Sequence, residues 1–436
     1  MRIHTALLIS GAFASASSAW PQDQMAPETD GYVTRVASSS DFDVNGYRIL
    51  CGRKTKTSVG PSTGKIVTYS DCPGGTPYVG ECMTIYGRIN DKSRVITADL
   101  IEAKSFNPEA ITGSAVIDGI PSGSSVSAQP DRLLVRADGY SILIHRETKI
   151  AWAPPLHALT DIKLGDWIGY EGTPNGTGIV IASKVKLSPE SITQSEEKLR
   201  AKNEYDPSSV PADAKQNLLK DAFALGYDPK KFPPFDDAAM QARVEKIGNS
   251  LVPAYQRALP DSDASKIQFR FHLVDNKHFC GMLPCDAFTL PSGMILVPHQ
   301  VVERMQNDSQ LAAVLADAIA RALERQQYRI GGKVKTAYAS AAAASFVPYG
   351  GGFGTLAGEG VASKLLMKEM EQSGRVSFTL LHDAGYDIDQ APMAWWLLAS
   401  RKPQPISEID MPDRAAYLYR ILGESWHNPG TAGQQP

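Results

Sequence analysis

Asp317 and Arg321 stand four residues apart in the run QLAAVLADAIARAL at 310–323. At that spacing on a helix the two side chains leave the same face and can pair as carboxylate and guanidinium. A carboxylate can also ligate a metal; a guanidinium cannot, because it has no acceptor and stays protonated in proteins. Ala318, next to Asp317, has no group for proton transfer. The pair is therefore either an exposed contact worth about 0.3–0.5 kcal/mol or a buried one that fastens a core. His278, Cys280, Cys285 and His299 could form a second zinc-binding set, but their spacing is irregular and an exported cysteine pair usually oxidises. Gly350–Gly354, with Gly358 and Gly360, lack a following G-K-[ST] and read as a loop rather than a phosphate cradle. No Ser/His/Asp set occurs in a recognisable motif.

The elements around these residues follow from periodicity. The 436 residues suffice for two or three domains, and a net charge of −3 without a long basic run excludes a nucleic-acid footprint. From 238 onward the pattern is α+β. Val244, Ile247, Leu251 and Tyr255 predict a helix over 239–259. A strand is expected at 266–275, two more within 287–297 around Pro291-Ser292-Gly293, and a helix beginning at 300–306. The 310–323 helix takes Ser309 as N-cap. A long helix over 361–384 ends at Gly385, and the tryptophan pair Trp395-Trp396 lies in a last helical region. Met367 and the tryptophans read as core or interface packing, and His382 as a favourable cation at a helix end.

Three segments in this order carry a family resemblance: the 310–323 helix, CDAFTLPSGMILV at 285–297 and AGYD at 384–387. Over about 238–422 the chain resembles the zinc metallopeptidase family that contains HtpX, BepA and the CAAX prenyl endopeptidases. The resemblance places the family's H-E-x-x-H at Asp317, Ala318, Ile319, Ala320 and Arg321, so both histidines and the general-base glutamate are replaced. Counting back from AGYD places the third ligand, a glutamate in E-x-x-x-D context, at Met370 and its aspartate at Gly374. An offset of one would place that glutamate at Glu369 or Glu371. The resemblance thus implies a degenerate site at Asp317, Ala318, Arg321 and Met370, with no catalytic residue, metal or cofactor. An Asp317–Arg321 pair would fill the space of the metal. The hairpin at 287–297 would line a groove that takes an extended peptide as an added strand. The alternative is an active zinc endopeptidase with unconventional ligands such as Asp317 and Glu371.

The preceding region repeats itself. NGYRIL (45–50) leads to RKTK (53–56), as DGYSIL (138–143) leads to RETK (146–149). VGECMTIYG (79–87) matches LGDWIGYEG (164–172), which sets Cys82 against Trp167, and VITADLIEA (95–103) matches IVIASKVKL (179–187). Asn-Gly and Asp-Gly before alternating apolar residues predict type I′ hairpin turns. Two small barrels or curled sheets of OB-like type follow, similar to tandem bacterial envelope domains of unknown function. No basic groove with stacking aromatics accompanies them, so a structural or protein-binding role is expected, with carbohydrate binding as another reading.

Arg2 and His4, the apolar run 6–13 and Ser17-Ser18-Ala19 form a secretory leader. Export makes a Cys280–Cys285 disulfide expected and leaves Cys51 or Cys82 to bridge Cys72, with one thiol over. The chain divides into a leader (1–19), β repeats (31–110 and 111–187), a linker with short helices (188–237), a metallopeptidase-like domain (238–425) and a disordered tail (426–436). The fold class is multidomain: all-β barrel-like repeats followed by an α+β metallopeptidase-like domain. The expected function is that of a periplasmic or secreted, non-catalytic protein without a transmembrane span. Its expected partner is a peptide or protein client in the envelope.

Overall fold

Asn45 and Gly46 adopt φ of 49° and 78°, and Asp138 and Gly139 adopt 57° and 71°. Both dipeptides thus form the positive-φ hairpin turns that their sequences require. The computed structural model describes residues 29–59, 66–68, 77–104, 109–121, 132–176, 178–210, 232–275, 286–329, 357–400 and 402–427. The leader, Cys72, residues 211–231 of the linker, the 278–285 cysteine loop, the glycines at 350–354 and the tail from 428 lie outside these residues.

The turns belong to two barrels of matching topology. In the first, β1 (Thr29–Ser38), β2 (Asp41–Val44) and β3 (Tyr47–Val59) follow one another. β3 then pairs in parallel with β6 (Val95–Ala103), β6 with β5 (Cys82–Asn90), and β5 with β1, closing five strands. β4 (Ile66–Thr68) adds to the β3 edge. In the second, β7 (Ile111–Gly119), β8 (Leu133–Ala137), β9 (Tyr140–Ile144), β11 (Trp167–Pro174) and β12 (Ile179–Ser188) close in the same order, with β10 (Lys149–Trp152) added to β12. The repeat holds at the level of single bonds. Thr55 Oγ1 donates to the Ala98 carbonyl at 2.7 Å, and Thr148 Oγ1 to that of Ala182 at 2.7 Å. Gly87 and Gly172 each sit at a register shift. A Cβ there would lie 2.1 Å from Thr97 O and 2.6 Å from Ile181 O, which is why both repeats keep glycine.

Helix α1 (Gln194–Lys202) opens the connection to an α+β unit. There α2 (Ala238–Leu251) is capped by Asp237, and Pro253 ends the helical path expected to continue to 259. The chain resumes as the short α3 (Ala254–Ala258). β13 (Arg270–Val274) runs parallel to β15 (Met294–Pro298), whose other edge carries the two-residue β14 (Phe288–Thr289). After α4 (His299–Arg304) comes α5 (Asp308–Leu323), in which nearly every side chain is buried. The N-cap of α5 is Asn307, not Ser309: Asn307 Oδ1 accepts the Gln310 N–H at 2.9 Å, while Ser309 Oγ accepts that of Asp387. Apolar all round, α5 packs against α2, β14, α6 (Ala357–Asp383) and α7 (Gln390–Ala399). α8 (Asp413–Ile421) closes the unit, and Trp426 is buried, so the folded chain runs past 425.

The hairpin turns also dock the barrels onto the helices. A Cβ on Gly139 would lie 2.5 Å from the Arg375 backbone on α6, and one on Gly46 2.9 Å from the Trp396 ring on α7. Beside the turn of the second barrel, Arg375 meets Asp138 at 2.5 Å, and Arg136 joins Asp118 to Asp383. Cys51 is disulfide-bonded and Cys82 is a free thiol. No helix among the described residues is long and apolar enough to cross a membrane.

Candidate functional site

Asp317 lies at the middle of α5, where the helix has no solvent-facing side. Its side chain is 1% exposed. Such burial opposes ionisation, yet the charges of Arg321 and Arg414, with a hydrogen bond from Ser373, hold the carboxyl below its usual range. Arg321 Nη2 lies 2.7 Å from Oδ2, and Arg414 Nη2 lies 2.6 Å from Oδ1. Ser373 Oγ on α6 donates to Oδ1 at 2.7 Å. The expected Asp317–Arg321 pair is thus present and buried, and it belongs to a larger set.

Asp286, just before β14, completes that set. It receives Arg321 at 2.8 Å and Arg414 at 3.3 Å. Two carboxylates and two guanidiniums alternate, formally neutral. The two contacts to Asp317 are close but poorly aligned. Asp317 Oδ2 and Arg414 Nη2 make no well-directed hydrogen bond there. Charge rather than direction holds them. Arg414 also lies flat on Trp395, its guanidinium carbon 3.2 Å from the ring centroid. A cation over an indole face gains roughly 0.5–2 kcal/mol. Its buried Nε has no hydrogen-bond partner among the described residues, which suits a guanidinium stacked on a ring.

Zinc needs neutral imidazole or anionic donors around an open position. Here Asp317, the buried carboxylate where the resemblance puts the first zinc ligand, is engaged by two guanidiniums, and Arg321 would repel a metal cation. The residues do not fit that metal. Among the described residues no group of three or more His, Cys, Asp and Glu side chains could hold a metal ion. Ala318, where the resemblance puts the general base, is buried, and its carbonyl accepts from Thr289 Oγ1 at 2.8 Å.

The stretch to which the resemblance assigns a third ligand is divided between two surroundings. Ser373, not Met370, faces Asp317, while Met370 lines an adjoining cavity of about 250 Å³ with Tyr32, Met367, Glu371, Arg414 and Tyr417. Met367 is 47% exposed and is a cavity wall rather than core. A Cβ on Gly374 would lie 2.9 Å from Leu418, so an aspartate there would collide with α8. Glu369 offers its backbone carbonyl to Gln326 Nε2 at 2.8 Å.

The edge of the hairpin is occupied as well. Gln327 Nε2 donates to the Thr289 carbonyl, so the β14 edge on which a peptide strand would add is already engaged there. Of the residues that build the site, Asp286 lies inside the hairpin signature and Ser373 one turn beyond Met370. Arg414, Trp395 and Tyr32 carry no local signal, because they come from elements brought together only by folding. Compared with known proteins, the chain matches no family model and no curated protein.

Proposed function

We propose that residues 238–427 form a metallopeptidase-like domain that binds peptide without cleaving it, in a protein exported to the cell envelope. One observation carries this reading: Asp317 sits in a closed Asp317–Arg321–Asp286–Arg414 ring at the place where the resemblance puts the zinc ligands. Hydrolysis of an amide needs a polarised carbonyl and an activated water. A neutral ion ring stacked on Trp395, with alanine at the base position, supplies neither. The order helix, hairpin, helix, long helix supports the family likeness, and the strand order 1-2-3-5-4 of each barrel supports an OB-like fold.

Peptide engagement is assigned to the cavity walled by Met370 and Tyr417 rather than to the edge of β14, which Gln327 caps at Thr289. The cavity is smaller than the ~300–1,000 Å³ of most small-molecule sites and suits one side chain of a longer ligand. The test is peptide retention by the purified full chain together with a cleavage assay. Retention without cleavage, unchanged by chelator, is expected. Chelator-sensitive cleavage would overturn the reading.

A further inference from the structure

We infer that the cavity beside Arg414 receives a lysine or arginine side chain of the bound peptide, with Glu371 and Asp413 as its counter-charges. The inference rests on the peptide-binding reading above and goes further by naming the residue class selected. It follows from the charge balance around the cavity. Arg414 is a wall residue, but its charge is matched within the ring, where two guanidiniums meet two carboxylates. Arg420, also on the wall, lies 4.0 Å from Glu424. That leaves Glu371 and Asp413, and neither has an ion-pair partner among the described residues. The cavity is therefore electronegative despite its two arginines.

The remaining wall fits the rest of such a side chain. Met367 and Met370 are unbranched and polarizable, and they adapt to an alkyl stem. Tyr32 adds an aromatic ring, to which a cation is attracted, while the Tyr417 ring already carries Arg420 at 5.0 Å. A lysine or arginine has this division, a long apolar stem and a charged head. An acidic side chain would meet Glu371 and Asp413, and a short polar one would leave the methionines uncovered. Tyr32 comes from β1, so the first barrel builds one wall of a site whose other walls lie on α6 and α8. The docking of the barrel onto the helical unit is then a condition for the site to exist.

A peptide library tests this, presented to the full chain with one position set to lysine, arginine, norleucine or glutamate and the others randomised. Lysine and arginine should be retained about tenfold over norleucine, the scale of two half-exposed ion pairs. In the double variant Glu371→Gln/Asp413→Asn that preference should vanish while norleucine peptides bind as before. This second comparison also controls for folding. Equal retention of lysine and norleucine by the wild type, or a preference that survives in the double variant, overturns the inference and leaves peptide binding standing. Retention of no peptide at all overturns the peptide-binding reading itself.

Discussion

Arg321→Ala removes one of the two guanidiniums that neutralise Asp317, and the structure bounds the cost. An exposed i,i+4 pair would lose only about 0.3–0.5 kcal/mol. Stripping a buried ion of its partners costs about 3–5 kcal/mol. Arg321 is 21% exposed and Asp317 1%, so water screens little of the contact. Asp317 keeps Arg414 at 2.6 Å and Ser373 at 2.7 Å, which spares part of the penalty. The expected loss is about 2–3 kcal/mol, between these limits. With a urea m-value near 3 kcal/mol/M, that lowers the midpoint by roughly 0.7–1 M. Arg321→Lys keeps the charge but replaces the planar guanidinium, whose Nη2 reaches both Asp317 and Asp286, and should fall between alanine and wild type. Because the retained partner is a buried carboxyl, the sign with pH is also set. Asp317 titrates below its usual range in the fold, so its stabilisation is complete above that range and is lost as pH falls through the lowered value. A midpoint shift under about 0.2 M for Arg321→Ala, with m unchanged, would refute the view that the ring fastens the core.

Further predictions concern the docking of the second barrel. Gly139→Ala places a Cβ against the Arg375 backbone at a φ of 71° and should cost about 2 kcal/mol or more, with faster amide exchange along α6. Gly385→Ala, at a φ of 76° with nothing within 4 Å, isolates backbone strain and should cost about 1–2 kcal/mol without that exchange change. Glu324 is buried behind Val116, and burial raises its carboxyl well above the usual range. A group raised in this way contributes stability while protonated and loses it as pH rises through the raised value. Glu324→Gln should therefore raise the melting temperature at alkaline pH and leave it unchanged at acidic pH, as calorimetry across pH would record.

What the sequence disclosed depended on how local the signal was. The turns at Asn45-Gly46 and Asp138-Gly139 were legible because positive φ narrows the choice of residue, and the repeats showed each signal twice. The helix carrying Asp317 and Arg321 was legible from its apolar frame, and its i,i+4 spacing named the pair. The ring around that pair was not. Arg414 and Trp395 lie on separate helices whose meeting depends on tertiary packing, and nothing in their own segments marks them. Ser309 and Asn307 are both good capping residues, and only the entry angle of the chain decides between them. The end of α2 was misplaced because Val252-Pro253 interrupts a helical pattern that continues in hydrophobicity beyond the break. Docking of the hairpin turns onto Arg375 and Trp396 left no trace either, since a glycine needed for φ and one needed for close approach look the same.

Under the proposed function, the Asp317–Arg321–Asp286–Arg414 ring stands where the resemblance puts a metal. Zinc titration of the metal-stripped full chain, followed by melting temperature and by metal analysis after dialysis, tests it most directly. Less than stoichiometric zinc is expected, with a melting temperature indifferent to zinc or chelator. One tightly held zinc per chain, with a melting temperature that rises on binding and is lost in Asp317→Asn, would contradict it.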